Sequence, residues 1–89
     1  MTMVYVARTL FMPSGEELFS KVVTVSAGKV VSVGEFVAEY PSMVFVNEMH
    51  ILASGSLSSL NEIDKEAHHA DGPLYAYSAD ALGRLELLG

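Results

Sequence analysis

Three histidines and a serine-rich stretch carry the side chains of this 89-residue chain whose types could support catalysis or metal binding. His50 follows the apolar run Met43-Val44-Phe45-Val46-Asn47 and sits between Met49 and Ile51, which places it in the connection after a strand, on the surface or partly covered. A metal or catalytic site needs several groups that converge. His68 and His69 lie among Asp64, Glu66 and Asp71. Asp64 and His68 are four residues apart, so on a helix they share a face and either chelate a divalent cation or form an ordinary ion pair. A helix C-terminus favours a histidine electrostatically in any case, and two ligands without a third or fourth rarely hold zinc. His50, Asp64, His68 and His69 are therefore candidate ligands, but the sequence assigns no metal, cofactor or catalytic residue.

Ser54, Ser56, Ser58 and Ser59 raise the question of a nucleophile, which requires a base within hydrogen-bond reach and a third group to orient that base. Ala53-Ser54-Gly55-Ser56-Leu57 does not match the Gly-x-Ser-x-Gly elbow, and a helix-capping loop accounts for these serines. Glu16 and Glu17 follow the Pro13-Ser14-Gly15 turn and are expected to stay solvated at a hairpin tip. Catalytic pairing would need burial that such a tip does not provide. The aromatics offer a different kind of function. Tyr75 and Tyr77 alternate on one face of a late strand, while Phe36 and Tyr40 precede Met43. These four are either core, as sheet faces usually are, or the centre of a pocket or interface, where tyrosine combines large area with a polar tip.

Composition limits the function classes. A formal charge of −6 with only Arg8, Lys21, Lys29, Lys65 and Arg84 as scattered cations argues against nucleic-acid binding, which depends on clustered Lys and Arg to release counterions. No run reaches the roughly 18 apolar residues of a membrane span, and Arg8 interrupts any signal-like apolar segment. The chain lacks cysteine and tryptophan, so it has no disulfide framework, thiolate site or cysteine nucleophile. A cytoplasmic protein is expected. At 89 residues and 51% hydrophobic, one domain spanning residues 1–89 is the ceiling, and its core needs no staples.

The elements that must position these residues are mostly strands. Residues 3–12 and 18–26 are rich in β-branched and aromatic types and flank turn chemistry at Pro13-Ser14-Gly15, so they read as a hairpin. In the second of them Phe19, Lys21, Val23 and Val25 share one face, and Leu18, Ser20, Val22 and Thr24 the other. Ser26-Ala27-Gly28-Lys29 is a tight turn into a strand at residues 30–33, after which Gly34 marks a bulge or a close backbone approach. Residues 43–47 read as an interior strand. Leu57, Leu60, Ile63 and Ala67 then recur with helical spacing. Ser59 and Glu62 form a capping-box pair, and Asp71-Gly72-Pro73 ends the helix. Residues 74–78 and 84–88 close the chain as strands around a turn at 79–83.

The strand opened by Gly28-Lys29-Val30-Val31-Ser32-Val33-Gly34, the strand at 43–47 and the stretch from His50 to Glu62 together resemble the N-terminal region of the amidohydrolase superfamily, the cytosine deaminase and dihydroorotase relatives. There, such strands precede a stretch of the type Leu-x-Pro-Gly-Phe-Ile-Asp-x-His-x-His. Laid on it, Ser54-Gly55 falls on Pro-Gly, Ser58 on Asp, and Leu60 and Glu62 on the two metal-binding histidines. Leucine cannot ligate a metal. The family's catalytic barrel takes roughly 250 residues, and the resemblance, over about 60 residues here, stops where that barrel would begin. It implies the family's small β-domain without its chemistry, with a helix in place of the barrel and residues 74–88 supplying the returning strands. The expected fold is thus mainly β, a small sandwich or open barrel of about six or seven short strands with one short helix near residues 58–69. The expected role is a non-catalytic binding or assembly module. A homodimer would cover the face that the missing barrel leaves open, and a larger protein partner is the weaker option. The alternative is a hydrolase-related protein whose site a partner chain completes.

Overall fold

Six strands in a single open sheet make up the described part of the molecule, a computed structural model covering residues 2–39, 41–53, 55, 58–59 and 73–89. The first hairpin pairs β1 (Thr2–Phe11) with β2 (Glu17–Ser26) in one antiparallel register from Thr2↔Ser26 to Phe11↔Glu17. Its turn is closed by Gly15 N donating to Met12 O at 2.8 Å and Met12 N to Glu16 O at 2.9 Å. Pro13 pre-sets the first bend, and Gly15 takes φ +90° without steric cost. The next turn has two residues, Ala27 and Gly28, at φ 53° and 78°. Positive φ at both positions is the type I′ geometry that matches the twist of the strands it joins.

β3 (Lys29–Glu35) pairs antiparallel with β2. Of the two alternatives at Gly34, a bulge or a close backbone approach, neither holds: Gly34 pairs regularly with Val22, an added Cβ there would meet nothing within 4 Å, and the register shifts between Thr24 and Val25, leaving Val31 as the extra residue. A bulge of the kind that holds its extra residue near the right-handed helical region needs no glycine. From β3 the chain crosses to the far side of β1, where β4 (Val44–Leu52) runs parallel to β1. β5 (Tyr75–Ala79) and β6 (Leu85–Leu87) complete the order β3-β2-β1-β4-β5-β6. β4 extends five residues beyond the expected 43–47, because pairing with β1 continues to His50 and pairing with β5 to Leu52. Among the described residues there is no helix, and so none long and apolar enough to cross a membrane. Ser58 and Ser59, where a helix was expected to begin, are not helical. Leu85 N donates to Ser58 O at 3.0 Å, and Ser59 bridges Arg84. The rest of that expected helix lies outside the described residues.

The sheet curls until its flanks meet. Val30 N, at the start of edge strand β3, donates to Leu74 O at 2.8 Å, and Gly89 N donates to the Tyr5 hydroxyl at 3.0 Å. The concave side holds the core: Tyr5, Ala7, Leu10, Val23, Val25, Met49, Ile51 and Ala76. Each large aliphatic chain fully buried there contributes about 1.5–3 kcal/mol relative to exposure. A second, smaller cluster of Leu52 and Tyr77 with Tyr75 and Leu85 forms on the other face of β4 and β5.

A crease crosses three adjacent strands. Along β1 the core positions are Tyr5 and Ala7 and then Leu10, a step of three where strand geometry demands two. β2 makes the same change between Leu18 and Val23, and β4 between Val46 and Met49. The ladder pairs Ala7↔Lys21 and Thr9↔Phe19 on one side and Ala7↔Val46 and Thr9↔Glu48 on the other, skipping Arg8, Ser20 and Asn47. Ser20 stands at φ 55°. The single-face assignment of Phe19, Lys21, Val23 and Val25 therefore fails at Ser20: Leu18 joins the core, and Phe19 is exposed.

Candidate functional site

The crease aligns three polar residues from three strands under one cleft. Arg8 of β1, Ser20 of β2 and Asn47 of β4 line a cavity of about 140 Å³ together with Phe36, Phe45, Val6 and Val46. Phe36 is brought there by the chain leaving β3, whose first backbone group, Phe36 N, donates to Ser20 O at 3.2 Å. Its ring meets Phe45 edge to face, with centroids 6.1 Å apart and an interplanar angle of 73°, an arrangement favoured by the ring quadrupoles. Val6 is buried beneath, whereas Phe45 remains 58% exposed and the neighbouring Val37 88%. Arg8 is exposed, and its side chain has no ion pair or hydrogen bond among the described residues. Among the other described cations, Lys21 pairs with Glu35 and Arg84 Nε donates to Asp80 Oδ2 at 2.8 Å, while Lys29 at the start of β3 resembles Arg8 in having no ion pair among the described residues.

His50 lies further along β4 on the same non-core face of the sheet. It is not in a connection but within β4, cross-strand from Phe11 and Tyr77, and it is buried. Its imidazole stacks on Phe11 at 4.6 Å and 13°, and Nε2 lies 2.8 Å from Glu48 Oε2. Two residues apart on one strand, Glu48 and His50 necessarily face the same way. Tyr77 is fully buried beside His50, and Tyr75 packs over Leu52 and beneath Gly55, where an added Cβ would lie 3.1 Å from the Tyr75 ring. Tyr75 and Tyr77 thus fill the second cluster, as the core reading of them requires, and are separate from Phe36 in the cleft.

Of the remaining candidates, Tyr40, Asp64, His68 and His69 lie outside the described residues, as do Ser54, Ser56, Leu60 and Glu62. Among the described residues no three of His, Asp and Glu converge as a metal site. A broader depression of about 380 Å³ beside the β5–β6 turn is lined by Asp80 and Arg84, which already engage each other. The sequence reading missed Arg8, Ser20, Phe45 and Asn47. The available signal was a pair of consecutive polar residues inside each strand, Arg8-Thr9, Ser20-Lys21 and Asn47-Glu48, which breaks the alternation of faces.

Comparison with protein-family models, with curated proteins and with solved structures gave no match.

Proposed function

We propose that this chain is a small non-catalytic binding module that works through the convex face of its sheet around Phe36 and Phe45. The observation that carries the reading is the exposure of Phe45 and Val37 beside a cleft whose Arg8 has no partner among the described residues. Apolar side chains grouped with a polar rim are the usual mark of an interaction surface. His50, by contrast, has one ring nitrogen engaged by Glu48 and one ring face covered by Phe11, an arrangement that serves packing. Support for the likeness to the amidohydrolase β-domain comes from strand order, since residues 75–87 return after residue 73 to extend the sheet begun by the N-terminal strands. A chain without cysteine suits the reducing cytoplasm in which we place it.

A screen of mixed small molecules and short peptides, read by amide chemical-shift mapping, tests this reading. Hits are expected to move residues 6–8, 20, 36–37 and 45–47 together. Hits confined to the His50 and Tyr77 side would overturn it. The second reading is a symmetric homodimer, favoured by the same exposed Phe45 and Val37. Equilibrium sedimentation separates the two, because a monomer at high micromolar concentration removes the dimer and leaves the module.

A further inference from the structure

We infer that the crease cleft is a binding site for a small monocarboxylate with an aromatic body, its carboxylate held by Arg8 and its ring packed against the edge-to-face pair of Phe36 and Phe45. The inference rests on the binding-module reading and names the ligand class for the same surface. Three independent features converge on it. Ser20 holds a non-glycine residue at φ 55° inside a strand, a conformation costing about 1–3 kcal/mol that persists where surrounding structure imposes it, often at ligand sites. Arg8, Ser20 and Asn47 come from three separate strands, yet all line the one cavity. And in a chain with 11 acidic residues and a net charge of −6, Arg8 takes no carboxylate from among the described residues.

The chemistry selects the ligand. A guanidinium presents a planar fork that fits a carboxylate bidentately, while the Asn47 amide and Ser20 hydroxyl supply further donors. One cation in an acidic protein balances one negative charge, so a phosphate dianion would leave a net negative charge at the site. The cleft volume of about 140 Å³ falls below the range of drug-sized pockets and suits a single ring with a short acid arm. The partly buried Phe36 and the exposed Phe45 complete the recognition without any covalent step.

Phenylacetate is the probe, with phenylacetamide as its neutral counterpart, each titrated into the full chain and followed by amide shifts. Saturable shifts in the millimolar range are expected at Arg8, Ser20, Phe36, Phe45 and Asn47, as befits a ligand of few atoms. Phenylacetamide and the Arg8→Met variant are each expected to bind at least about tenfold more weakly, with Arg8→Lys intermediate because it keeps the charge and loses the fork. Wild-type protein that shows no saturable response, or equal affinity for acid and amide, would overturn the proposal without depending on any variant's folding. Shifts of these residues with protein concentration alone would identify a second copy of the chain as the occupant and likewise overturn it. Failure of phenylacetate while other compounds map to the same face would leave the module reading intact; hits elsewhere would remove both.

Discussion

Ala27 holds φ at 53° in the two-residue turn between β2 and β3, where an L-residue with a Cβ pays about 1–2 kcal/mol and asparagine far less. The side chain is exposed, so Ala27→Asn exchanges nothing but local strain. It is expected to stabilise the protein by about 1 kcal/mol, raising the thermal midpoint by roughly 4–8 °C for a domain of this size, as read by circular dichroism. An unchanged or lower midpoint would count against the left-handed geometry of that turn. Ser20 carries the same kind of strain at φ 55°, but in the middle of a strand. No turn requires it there; the crease does. The two positions show the same backbone state serving chain reversal in one place and the shaping of a cleft in the other. His50 makes a third point at this scale. Its chemistry-capable imidazole is absorbed by stacking on Phe11 and by the Glu48 carboxylate, so residue type alone overstates its functional potential.

At the scale of elements, two hairpins use one turn design. Gly15 N to Met12 O and Gly83 N to Asp80 O close equivalent bends, each with a glycine at positive φ. The β5–β6 turn adds a carboxylate that organises it: Asp80 Oδ1 accepts from Leu82 N and Arg84 N, both at 2.9 Å, and Oδ2 from Arg84 Nε. Hydrogen bonding from the Arg84 backbone, then from its side chain and from Leu82, holds the Asp80 carboxyl below its ordinary value of 3.8. A depressed native pKa means that the turn's stabilisation is complete above that value and is lost as pH falls through the native one. The Leu82 and Arg84 amide resonances should therefore keep their native positions down to pH 3.8 and move below it. Asp80→Ala should abolish that acid-dependent movement. Movement that begins well above the ordinary carboxylate range would contradict the assignment. Such turns were legible in the sequence because Pro-Ser-Gly, Ala-Gly and Asp-Ala-Leu-Gly are local chemistry. The strands themselves were legible from their β-branched runs, with ends displaced by pairing: β4 runs on because β1 holds it to His50 and β5 to Leu52. The crease was not legible. Arg8-Thr9, Ser20-Lys21 and Asn47-Glu48 each look like a minor lapse in alternation, and only the register Ala7↔Lys21 and Ala7↔Val46 places them side by side.

For the whole molecule, the decisive question is how a six-stranded open sheet avoids exposing two bare edges, which invite pairing with other chains. Irregular segments engage one amide at each edge. At β3 the Val30 amide is taken by Leu74 O, and beside β6 the Leu85 amide is taken by Ser58 O. The bulge at Val31 further disrupts the β3 edge as a template. The first of these bonds also draws β3 toward β5, enclosing the core of Tyr5, Leu10, Val23, Met49 and Ile51 on the concave side and leaving Phe45 on the convex one. Closure and site are thus linked, since the curl that buries one face presents the other. Hydrogen exchange tests this directly. Edge amides that face water exchange through local opening of near-zero free energy, whereas those bonded within the global structure exchange only on sub-global or global unfolding. The Val30 and Leu85 amides are therefore expected to be protected by at least about a hundredfold, corresponding to roughly 2.7 kcal/mol of opening. The Val31 amide, in the bulge, should exchange much faster. If Val30 exchanged as fast as Val31, the sheet would not close at Leu74, and the convex face would no longer be held in the curvature that brings Arg8, Ser20 and Asn47 to one cleft.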